Sequence, residues 1–276
     1  MPYNDYKKKK EIYKSNNSKI SLIEKPDTKT LYVWKKALKT NNTAQQILFR
    51  EAWALFRIRS NFVITMKEKF DHGEFMYLVL EYCPGGSIKE MIKEKRKLNK
   101  PIREDLVLKF LAQIAMGLKD IHAMRWVHLN ITTKNVLIST SETVKIGDFG
   151  SVEPMKEGLI VSGTTGTAKF NSPEIYDAQP CSPASDVWSL GVCVYEMLAL
   201  HKPFKHSHPF QLSKMIRKDP PPPITSRPVN PELNDLMMRM LAKEPRDRPS
   251  LEDILQTPCV KEFALQCMPS SDQQSQ

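Results

Sequence analysis

The sequence predicts an α+β fold, with strands concentrated in the first third of the chain and helices in the rest. Short β-leaning runs occur between residues 20 and 36 and again at 75–82, whereas apolar residues recur at helical spacing through most of the later chain. The Pro-Gly-Gly sequence at 84–86 interrupts the pattern between these two parts. Segregated strands and helices are typical of α+β proteins, so we expect a small β-rich lobe followed by a larger helical lobe.

The predicted strands of the first lobe are short. Residues 20–24 and 31–36 favour β structure, and the Pro-Asp-Thr sequence at 26–28 has the chemistry of a tight turn. Two such runs joined by a short turn predict a hairpin. Residues 75–82 form another β-leaning run, which ends at the Pro-Gly-Gly break.

One main helix is predicted in the first lobe, over residues 43–59. Apolar residues recur there at three- and four-residue spacing, and Thr43 is placed to cap the helix start. After the break, the same periodicity predicts helices over residues 102–124, 182–200, 210–218, 230–242 and 251–256.

Length and composition favour a large globular protein. The chain has 276 residues, of which 41% are hydrophobic and 26% charged, unlike the composition of disordered chains. Its five cysteines are odd in number and form no C-x-x-C pair, which indicates neither a disulfide framework nor a zinc site. We therefore expect a reducing compartment, namely the cytoplasm, with the nucleus as an additional location.

The formal net charge of +10 raises the question of a nucleic-acid or anionic-membrane partner. The basic residues gather at 7–10 and 93–103 without interleaved aromatic residues, which favours a solvated face over a nucleic-acid surface. The residues after Met1 are polar and charged, unlike a signal peptide, and the best apolar run, 187–200, is too short to span a bilayer. We expect no membrane insertion and no nucleic-acid partner.

Short motifs follow one another in a fixed order from residue 128 onward. They are His128-Leu129-Asn130, Asn135 with the apolar run after it, Asp148-Phe149-Gly150, Ser172-Pro173-Glu174, the stretch 186–191 and the stretch 246–250. In order and spacing they resemble the signature set of eukaryotic protein kinase domains, over roughly residues 6–262. Val33-Trp34-Lys35, the stretch 80–87 and Gly166-Thr167 make the chain most similar to the NIMA-related (NEK) Ser/Thr kinases.

The resemblance implies a two-lobed protein kinase fold. Residues 1–5 would form an N-terminal extension and residues 6–82 a small β-rich N-lobe with one main helix. Residues 83–262 would form the larger helical C-lobe, and residues 263–276 a polar, disordered tail.

The resemblance also implies ATP and Mg²⁺ as cofactors, because kinases need a held nucleotide and metal ions that neutralise its phosphates. The implied contacts are Lys35 to the phosphates with Glu51 as its ion-pair partner, Asn135 and Asp148 to Mg²⁺, and the hinge backbone at Glu81 and Cys83 to adenine. Three alternatives stay open: a register slip that makes Lys35 a surface lysine beside Lys36, a solvated Glu51, and a turn-capping Asp148.

The catalytic loop departs from the kinase pattern at two positions, so that no catalytic residue is intact. Asn130 stands at the catalytic-base position and Thr132 at the loop-lysine position. An amide can orient a hydroxyl but cannot take up a proton near neutral pH, and losing a general base typically costs on the order of 10²- to 10⁴-fold in rate. Lys134 is a candidate replacement for the missing cation.

Two further departures concern phosphate contacts. The kinase spacing places three loop glycines near Tyr13, Ser15 and Ser18, yet the chain has no glycine before Gly73. Glycine allows backbone N–H groups to approach phosphates closely, so we expect ATP and Mg²⁺ binding to be weak or absent. Leu129 replaces the arginine that would pair with an activation-loop phosphate, so activation by phosphorylation in the usual manner is not expected.

These departures favour a pseudokinase that acts as a scaffold or allosteric protein-binding module. The alternatives are a slow Ser/Thr kinase in which Asn130 orients the hydroxyl, and a basic module for nucleic acid or membrane. The expected partner is an acidic protein, bound on a patch made of residues 167–170, Phe204, Phe210 and Met215 and rimmed by Lys202, Lys205, Lys214 and Arg217. The alternative for these aromatic residues is that they pack the lobe.

Overall fold

The computed structural model describes residues 2–14, 19–139, 142–156 and 168–267. Its first lobe is a five-stranded antiparallel sheet with strand order β1-β2-β3-β5-β4. The strands are β1 Lys7–Lys14, β2 Lys19–Lys25, β3 Thr30–Leu38, β4 Met66–His72 and β5 Phe75–Glu81. The predicted hairpin is confirmed, since β2 and β3 pair in unbroken register around the turn at 26–28.

The main helix of this lobe is α1, Asn42–Arg57. The Asn41 side chain accepts a hydrogen bond from the Ala44 backbone N–H at 3.0 Å, so the predicted Thr43 cap is wrong by two residues. An asparagine side chain at this position satisfies one of the N–H groups that a helix start leaves without a partner. The inner face of α1 buries Leu48, Ala52 and Leu55 against the sheet and the second lobe.

The outer face of the sheet carries a cluster of aromatic side chains. Trp34 and Tyr77 are buried there, and the residues before β1 lie over them, with Tyr3 stacked on His72 at a ring distance of 3.9 Å. Tyr6 is also buried and donates a short hydrogen bond to Glu68. The segment predicted as an N-terminal extension therefore packs on the N-lobe sheet.

The second lobe is built around α3 and α5, whose apolar side chains interdigitate. Its helices are α2 Ile88–Lys97, α3 Glu104–Ala123, α4 Pro173–Tyr176, α5 Pro183–Ala199, α6 Pro209–Lys218, α7 Pro231–Met240, α8 Leu251–Gln256 and α9 Pro258–Cys267. Four short strands complete it, β6 Trp126–Val127 paired with β9 Glu153–Pro154, and β7 Val136–Ile138 paired with β8 Val144–Ile146. The α+β prediction is confirmed.

The C-terminal boundary is corrected by α9. The predicted disordered tail began at residue 263, but α9 continues to Cys267 and buries Val260 and Ala264, and it packs against α3. Residues 268–276 lie outside the described part of the chain. Among the described helices, none has the length and apolar character needed to cross a bilayer.

Candidate functional site in the cleft between the lobes

Lys35 and Glu51 form an ion pair at the inner face of the N-lobe sheet. Successive strand residues point to opposite faces, and Trp34 is buried in the outer aromatic cluster, so Lys35 points inward. Its Nζ lies 2.6 Å from the Glu51 carboxylate on α1. Lys36 lies on the outer face, with its Nζ 3.9 Å from the Phe75 ring centroid. The structure therefore excludes both the register slip and the solvated Glu51.

Burial and charge act against each other at this pair. Burial works against the Lys35 ammonium, but the Glu51 and Asp148 carboxylates outweigh it and raise the pKa of Lys35. Burial raises the pKa of Glu51, even though the nearby ammonium pulls it down. The lysine is thus held as a cation where a nucleotide phosphate would meet it.

Asp148 begins the turn after β8 and faces the same lysine. Its backbone is in the left-handed region, with φ 62° and ψ 70°, and its carboxylate lies 3.3 Å from Lys35 Nζ. The ammonium lowers the pKa of Asp148, which keeps it ionised. The next residue, Phe149, packs its ring edge against His128 at 4.8 Å. Both rings are fully buried, so this contact is part of the packed interior.

The backbone of the catalytic loop is hydrogen-bonded to the Asp186 side chain of α5. One carboxylate oxygen accepts the His128 backbone N–H and the other accepts that of Leu129, each at 2.8 Å, and His122 Nε2 lies 2.8 Å away. Burial alone would raise the pKa of Asp186, but these hydrogen bonds and the nearby His122 lower it. Asp186 thus anchors the catalytic loop to α5.

Leu129 is part of this anchored structure. It has a positive φ of 59° and lies buried in an apolar cluster with Val127, Ile175 and Cys181, against which Met155 packs. Met155 and Ile175 flank residues 157–167, which lie outside the described part of the chain. Where the kinase pattern has an arginine for a phosphate, this chain makes an apolar contact.

A second buried ion pair ties the lobe together. Arg248 makes two hydrogen bonds to the Glu174 carboxylate, at 2.9 and 2.8 Å, and both side chains are almost fully buried. Burial alone would raise the pKa of Glu174, but the Arg248 guanidinium keeps it below its usual value.

Asn130 contacts the Asp148 carboxylate directly. Its Nδ2 donates to Asp148 Oδ2 at 2.9 Å, while its backbone carbonyl accepts Asn135 Nδ2 at 2.9 Å. Thr132 is buried and its hydroxyl oxygen accepts the Asn135 backbone N–H at 3.2 Å. The loop is an amide network that orients Asp148 and Asn135. Neither the Asn130 and Asn135 carboxamides nor the Thr132 hydroxyl can act as a general base near neutral pH.

Tyr13 and Lys134 form a contact between the lobes that the sequence did not reveal. The Lys134 Nζ lies 4.9 Å from the Tyr13 ring centroid, within the range of a cation–π interaction. Lys134 is thereby directed toward β1. Its charge also adds, after that of Lys35, to the lowered pKa of Asp148, and its role as the missing loop cation stays a prediction. Ser15, Ser18 and the residues between them lie outside the described residues.

The hinge residues have internal roles. The Glu81 side chain pairs with Lys145 at 2.9 Å and accepts the Thr65 backbone N–H at 2.7 Å. The Cys83 carbonyl accepts the Gly86 N–H at 3.3 Å, and burial raises the pKa of the Cys83 thiol to about 12. The thiol is therefore not a nucleophile near neutral pH, and the adenine contacts stay a prediction.

The aromatic patch predicted on the second lobe is not assembled. Phe170 and Phe204 are buried, and Phe204 stacks on Trp188, so these two residues pack the lobe. Met215 packs against the core, and Thr167 lies outside the described residues. Of the aromatic residues named for that patch, Phe210 is exposed.

Residues 6–260 match the family model of the protein kinase domain. The chain belongs to the protein kinase family. It is 31% identical over 235 residues to the serine/threonine-protein kinase Nek3 of Mus musculus, which covers 85% of the chain and 45% of that protein. It is 29% identical over 265 residues to Mus musculus Nek4 and 32% identical over 211 residues to Homo sapiens Nek5. These cover 95% and 76% of the chain, and 33% and 29% of the relatives. The chain thus spans less than half the length of these curated relatives.

Kinase domains normally use ATP with Mg²⁺, and two residues of this cleft suit the metal. Within the described part of the chain, no group donates a hydrogen bond to the Asn135 carboxamide oxygen, whose nitrogen donates to Asn130. The half-exposed Asp148 carboxylate supplies a hard anionic ligand. Bound there, Mg²⁺ would neutralise phosphate charge. Both Asp148 oxygens already accept hydrogen bonds, from Lys35 and Asn130, so the ion would compete with them.

Proposed function

We propose that this chain is a NEK-like pseudokinase that acts through protein contacts, as a scaffold or an allosteric binding module, with weak or absent ATP binding. The observation that carries the proposal is the hydrogen bond from Asn130 Nδ2 to Asp148 Oδ2 at 2.9 Å. The side chain at the catalytic-base position is a donor committed to the metal-binding carboxylate. It is therefore neither able nor placed to accept a hydroxyl proton.

The expected loss of rate is large. Without a general base, phosphotransfer slows on the order of 10²- to 10⁴-fold, equivalent to roughly 3 to 5 kcal/mol of barrier. Thr132 removes a cation from the transferring phosphoryl group, and the Lys134 ammonium contacts the Tyr13 ring. Together these changes lower the expected rate of phosphotransfer.

A slow Ser/Thr kinase is the second candidate function, and one arrangement favours it. Lys35 contacts both Glu51, at 2.6 Å, and Asp148, at 3.3 Å, and active kinases need the lysine–glutamate pair together with a placed metal aspartate. In such an enzyme Asn130 would orient the substrate hydroxyl without deprotonating it.

A phosphotransfer assay separates the two candidates. For the purified chain we expect transfer to itself and to generic substrates below about 10⁻² of an ordinary kinase rate. The double change Asn130→Asp with Thr132→Lys should restore little, because the glycine-less loop still positions phosphates poorly. Transfer above this limit that is abolished by Asp148→Ala would contradict the proposal and favour the kinase alternative.

Nucleotide binding is the second test. Lys35, Asn135 and Asp148 supply electrostatic attraction, but the close backbone cradle is missing. We expect Mg²⁺-dependent binding with a dissociation constant of about 10⁻⁴ M or poorer, near −5.5 kcal/mol. Isothermal titration calorimetry on wild type and Lys35→Ala measures it, with Lys36→Ala as the matched control on the outer face of the same strand. Micromolar affinity, or binding indifferent to Lys35→Ala, would overturn this expectation.

The partner and the compartment complete the proposal. A scaffold with a formal net charge of +10 suits an acidic protein partner through electrostatic complementarity. None of the five cysteines, all of which the structure describes, forms a disulfide, which suits a reducing compartment such as the cytoplasm or nucleus.

A further inference from the structure

The outer face of the N-lobe sheet carries three lysine side chains, Lys8, Lys19 and Lys36, which we call the lysine cluster. Lys36 lies on this face with its Nζ over the Phe75 ring. Lys19 on β2 is directly opposite Lys36 on β3, and side chains that face each other in this way have Cβ atoms about 5 Å apart. Lys8 on β1 pairs with Ile23, which belongs to the outer aromatic cluster, so Lys8 lies on the same face.

Repulsion within the lysine cluster is only partly compensated. Like charges directly opposite each other on a sheet are destabilising. Burial lowers the pKa of Lys36, and repulsion by Lys19 and Lys8 lowers it further. The opposing attraction comes from Glu11, whose carboxylate lies 4.0 Å from Lys8 Nζ in an exposed pair. Exposed pairs contribute little, so an anion bound among the three ammonium groups would relieve the remaining repulsion.

Two aromatic rings hold the Lys36 side chain in position. Its Nζ lies 3.9 Å from the Phe75 ring centroid and 5.7 Å from that of Tyr77, within the range of cation–π interactions. Tyr77 is itself buried and packs on Trp34, with ring centroids 5.0 Å apart. Because the rings fix the ammonium, a ligand does not have to order a free lysine side chain when it binds.

The spacing of the lysines indicates the size of the ligand. Lys19 and Lys36 lie side by side, where two ammonium groups can share one phosphate as point charges. Lys8 reaches toward Glu11. Glu11 pairs with Ser21, two residues along β2 from Lys19, and two strand residues span about 7 Å. The Lys8 ammonium therefore suits a second phosphate of the same molecule.

We propose that the lysine cluster is a binding site for a small anion that carries at least two phosphate groups, either free in solution or as the headgroup of a membrane lipid. The site goes beyond the proposed function and does not depend on it, since Lys36 and the cleft residue Lys35 point to opposite faces of β3. Nucleic acid fits less well, because single strands bind through exposed aromatic rings on which bases stack. Here Tyr77 is buried, and the Lys36 ammonium covers the Phe75 ring.

The test measures binding of tripolyphosphate, inositol hexakisphosphate and orthophosphate to the full chain by isothermal titration calorimetry. We expect both polyphosphates to bind at least tenfold more tightly than orthophosphate. Lys19→Gln/Lys36→Gln should weaken polyphosphate binding at least tenfold. Glu11→Gln should strengthen it at least twofold, and a gain of affinity cannot arise from misfolding. Lys25→Gln/Lys29→Gln is the matched control, since it removes the same charge from the turn end of the same hairpin, and it should change the affinity less than twofold.

Vesicle binding separates the two sources of the ligand. Phosphatidylcholine vesicles that contain phosphatidylinositol bisphosphate are compared by co-sedimentation with vesicles of equal charge that contain phosphatidylserine. A preference for the bisphosphate vesicles that is lost in Lys19→Gln/Lys36→Gln supports the site and assigns a lipid headgroup to it. Polyphosphate binding without this preference supports the site and assigns a free anion.

Mg²⁺ separates this site from the cleft. It should weaken polyphosphate binding here, because it competes with the lysines for phosphate charge, whereas nucleotide binding in the cleft is expected to require it. With Mg²⁺ in excess, Lys36→Ala therefore stays a control for ATP binding in the cleft.

Four results are decisive against the site or against the proposed function. Orthophosphate that binds as tightly as the polyphosphates, or a control variant that loses as much affinity as Lys19→Gln/Lys36→Gln, overturns the site. Loss of polyphosphate binding in Lys35→Ala and not in the outer-face variant places the anion in the cleft and overturns it too. Single-stranded DNA that displaces the polyphosphate at equal phosphate concentration assigns the surface to nucleic acid, with the same consequence. Rapid phosphotransfer by a chain that still binds polyphosphate through Lys19 and Lys36 refutes the pseudokinase function alone and leaves the site standing.

Discussion

The catalytic loop and the helical layer that supports it have diverged differently from the kinase pattern. In the loop, Asn130 and Thr132 stand where the kinase pattern has a catalytic base and a lysine. In the supporting layer, the kinase motif residues Asp186, Glu174 and Arg248 are present and hydrogen-bonded. The loop side chains lie at a cleft, where exchanging a carboxylate for an amide leaves packing intact. The supporting groups are buried charges, and losing one partner leaves the other without compensation. Function can therefore be lost at the cleft while the fold is preserved.

The largest loss of unfolding free energy is expected for Arg248→Ala. It removes two hydrogen bonds from the buried Glu174 carboxylate, and breaking a buried pair costs about 3 to 5 kcal/mol, a large share of the roughly 5 to 15 kcal/mol that stabilises a typical protein. Urea unfolding monitored by circular dichroism measures it. The control, Arg239→Ala, breaks an exposed pair with Asp235 and should cost less than about 1 kcal/mol. Equal losses in both variants would refute the contrast between buried and exposed pairs.

Leu129→Ala tests whether the catalytic loop has a structural role. Leu129 is buried with Val127 and Ile175, and truncating a buried leucine costs about 2 to 5 kcal/mol. Leu98→Ala, at a 54% exposed position, is the control and should change the unfolding free energy by less than about 0.5 kcal/mol. If Leu129→Ala also proved neutral, the apolar cluster would not hold the loop.

Acid should weaken the supporting layer. The folded-state pKa values of Asp186 and Glu174 are lowered, so the stability they contribute is complete above their unfolded pKa near 4 and is lost as pH falls through the folded pKa. Hydrogen bonds to a charged group are worth about 1.5 to 3 kcal/mol. We expect Asp186→Asn to be less stable than wild type at pH 7 and to lose less on acidification. Urea midpoints measured between pH 7 and pH 3 provide the comparison, and parallel curves would contradict it.

The smallest loss of stability is expected for Asn130→Asp. The change replaces a donor to Asp148 Oδ2 with a second carboxylate, and two like charges at a partly exposed site cost on the order of 1 kcal/mol. The melting temperature without Mg²⁺ should fall slightly, and Mg²⁺ should raise it more than in wild type. Asn61→Asp, at an exposed position, is the control. A variant that is stabilised without metal would show that Asn130 does not act as a donor there.

Periodicity and turn chemistry predicted much of the fold, whereas the elements that depend on helix capping were missed or misplaced. The hairpin of β2 and β3 follows from its turn residues, and α5 from its long apolar run. Helix α2 escaped prediction because its residues are mostly charged, and it is fixed instead by the Ser87–Glu90 capping box and by two buried residues, Ile88 and Ile92. The start of α1 was misplaced because either Asn41 or Thr43 could serve as a cap.

The cleft was predictable where it follows the kinase motifs and unpredictable where it depends on contacts between the lobes. Lys35, Glu51 and Asp148 could be named from spacing because their positions are fixed by β3, α1 and the turn after β8. The donation from Asn130 and the contact between Tyr13 and Lys134 depend on side-chain directions that no spacing encodes. The expected aromatic patch failed for the same reason, since sequence does not tell a packed Phe204 from an exposed Phe210.

The Trp53–Trp126 stack has a consequence of a different kind. One indole belongs to α1 and the other to β6, and the rings lie 4.5 Å apart at an interplanar angle of 24°. Two chromophores at this separation and angle couple their electronic transitions and give a paired signal of opposite signs in circular dichroism. Movement of α1 away from β6 uncouples them. The circular dichroism signal of this tryptophan pair therefore reports the opening between the lobes without an attached dye.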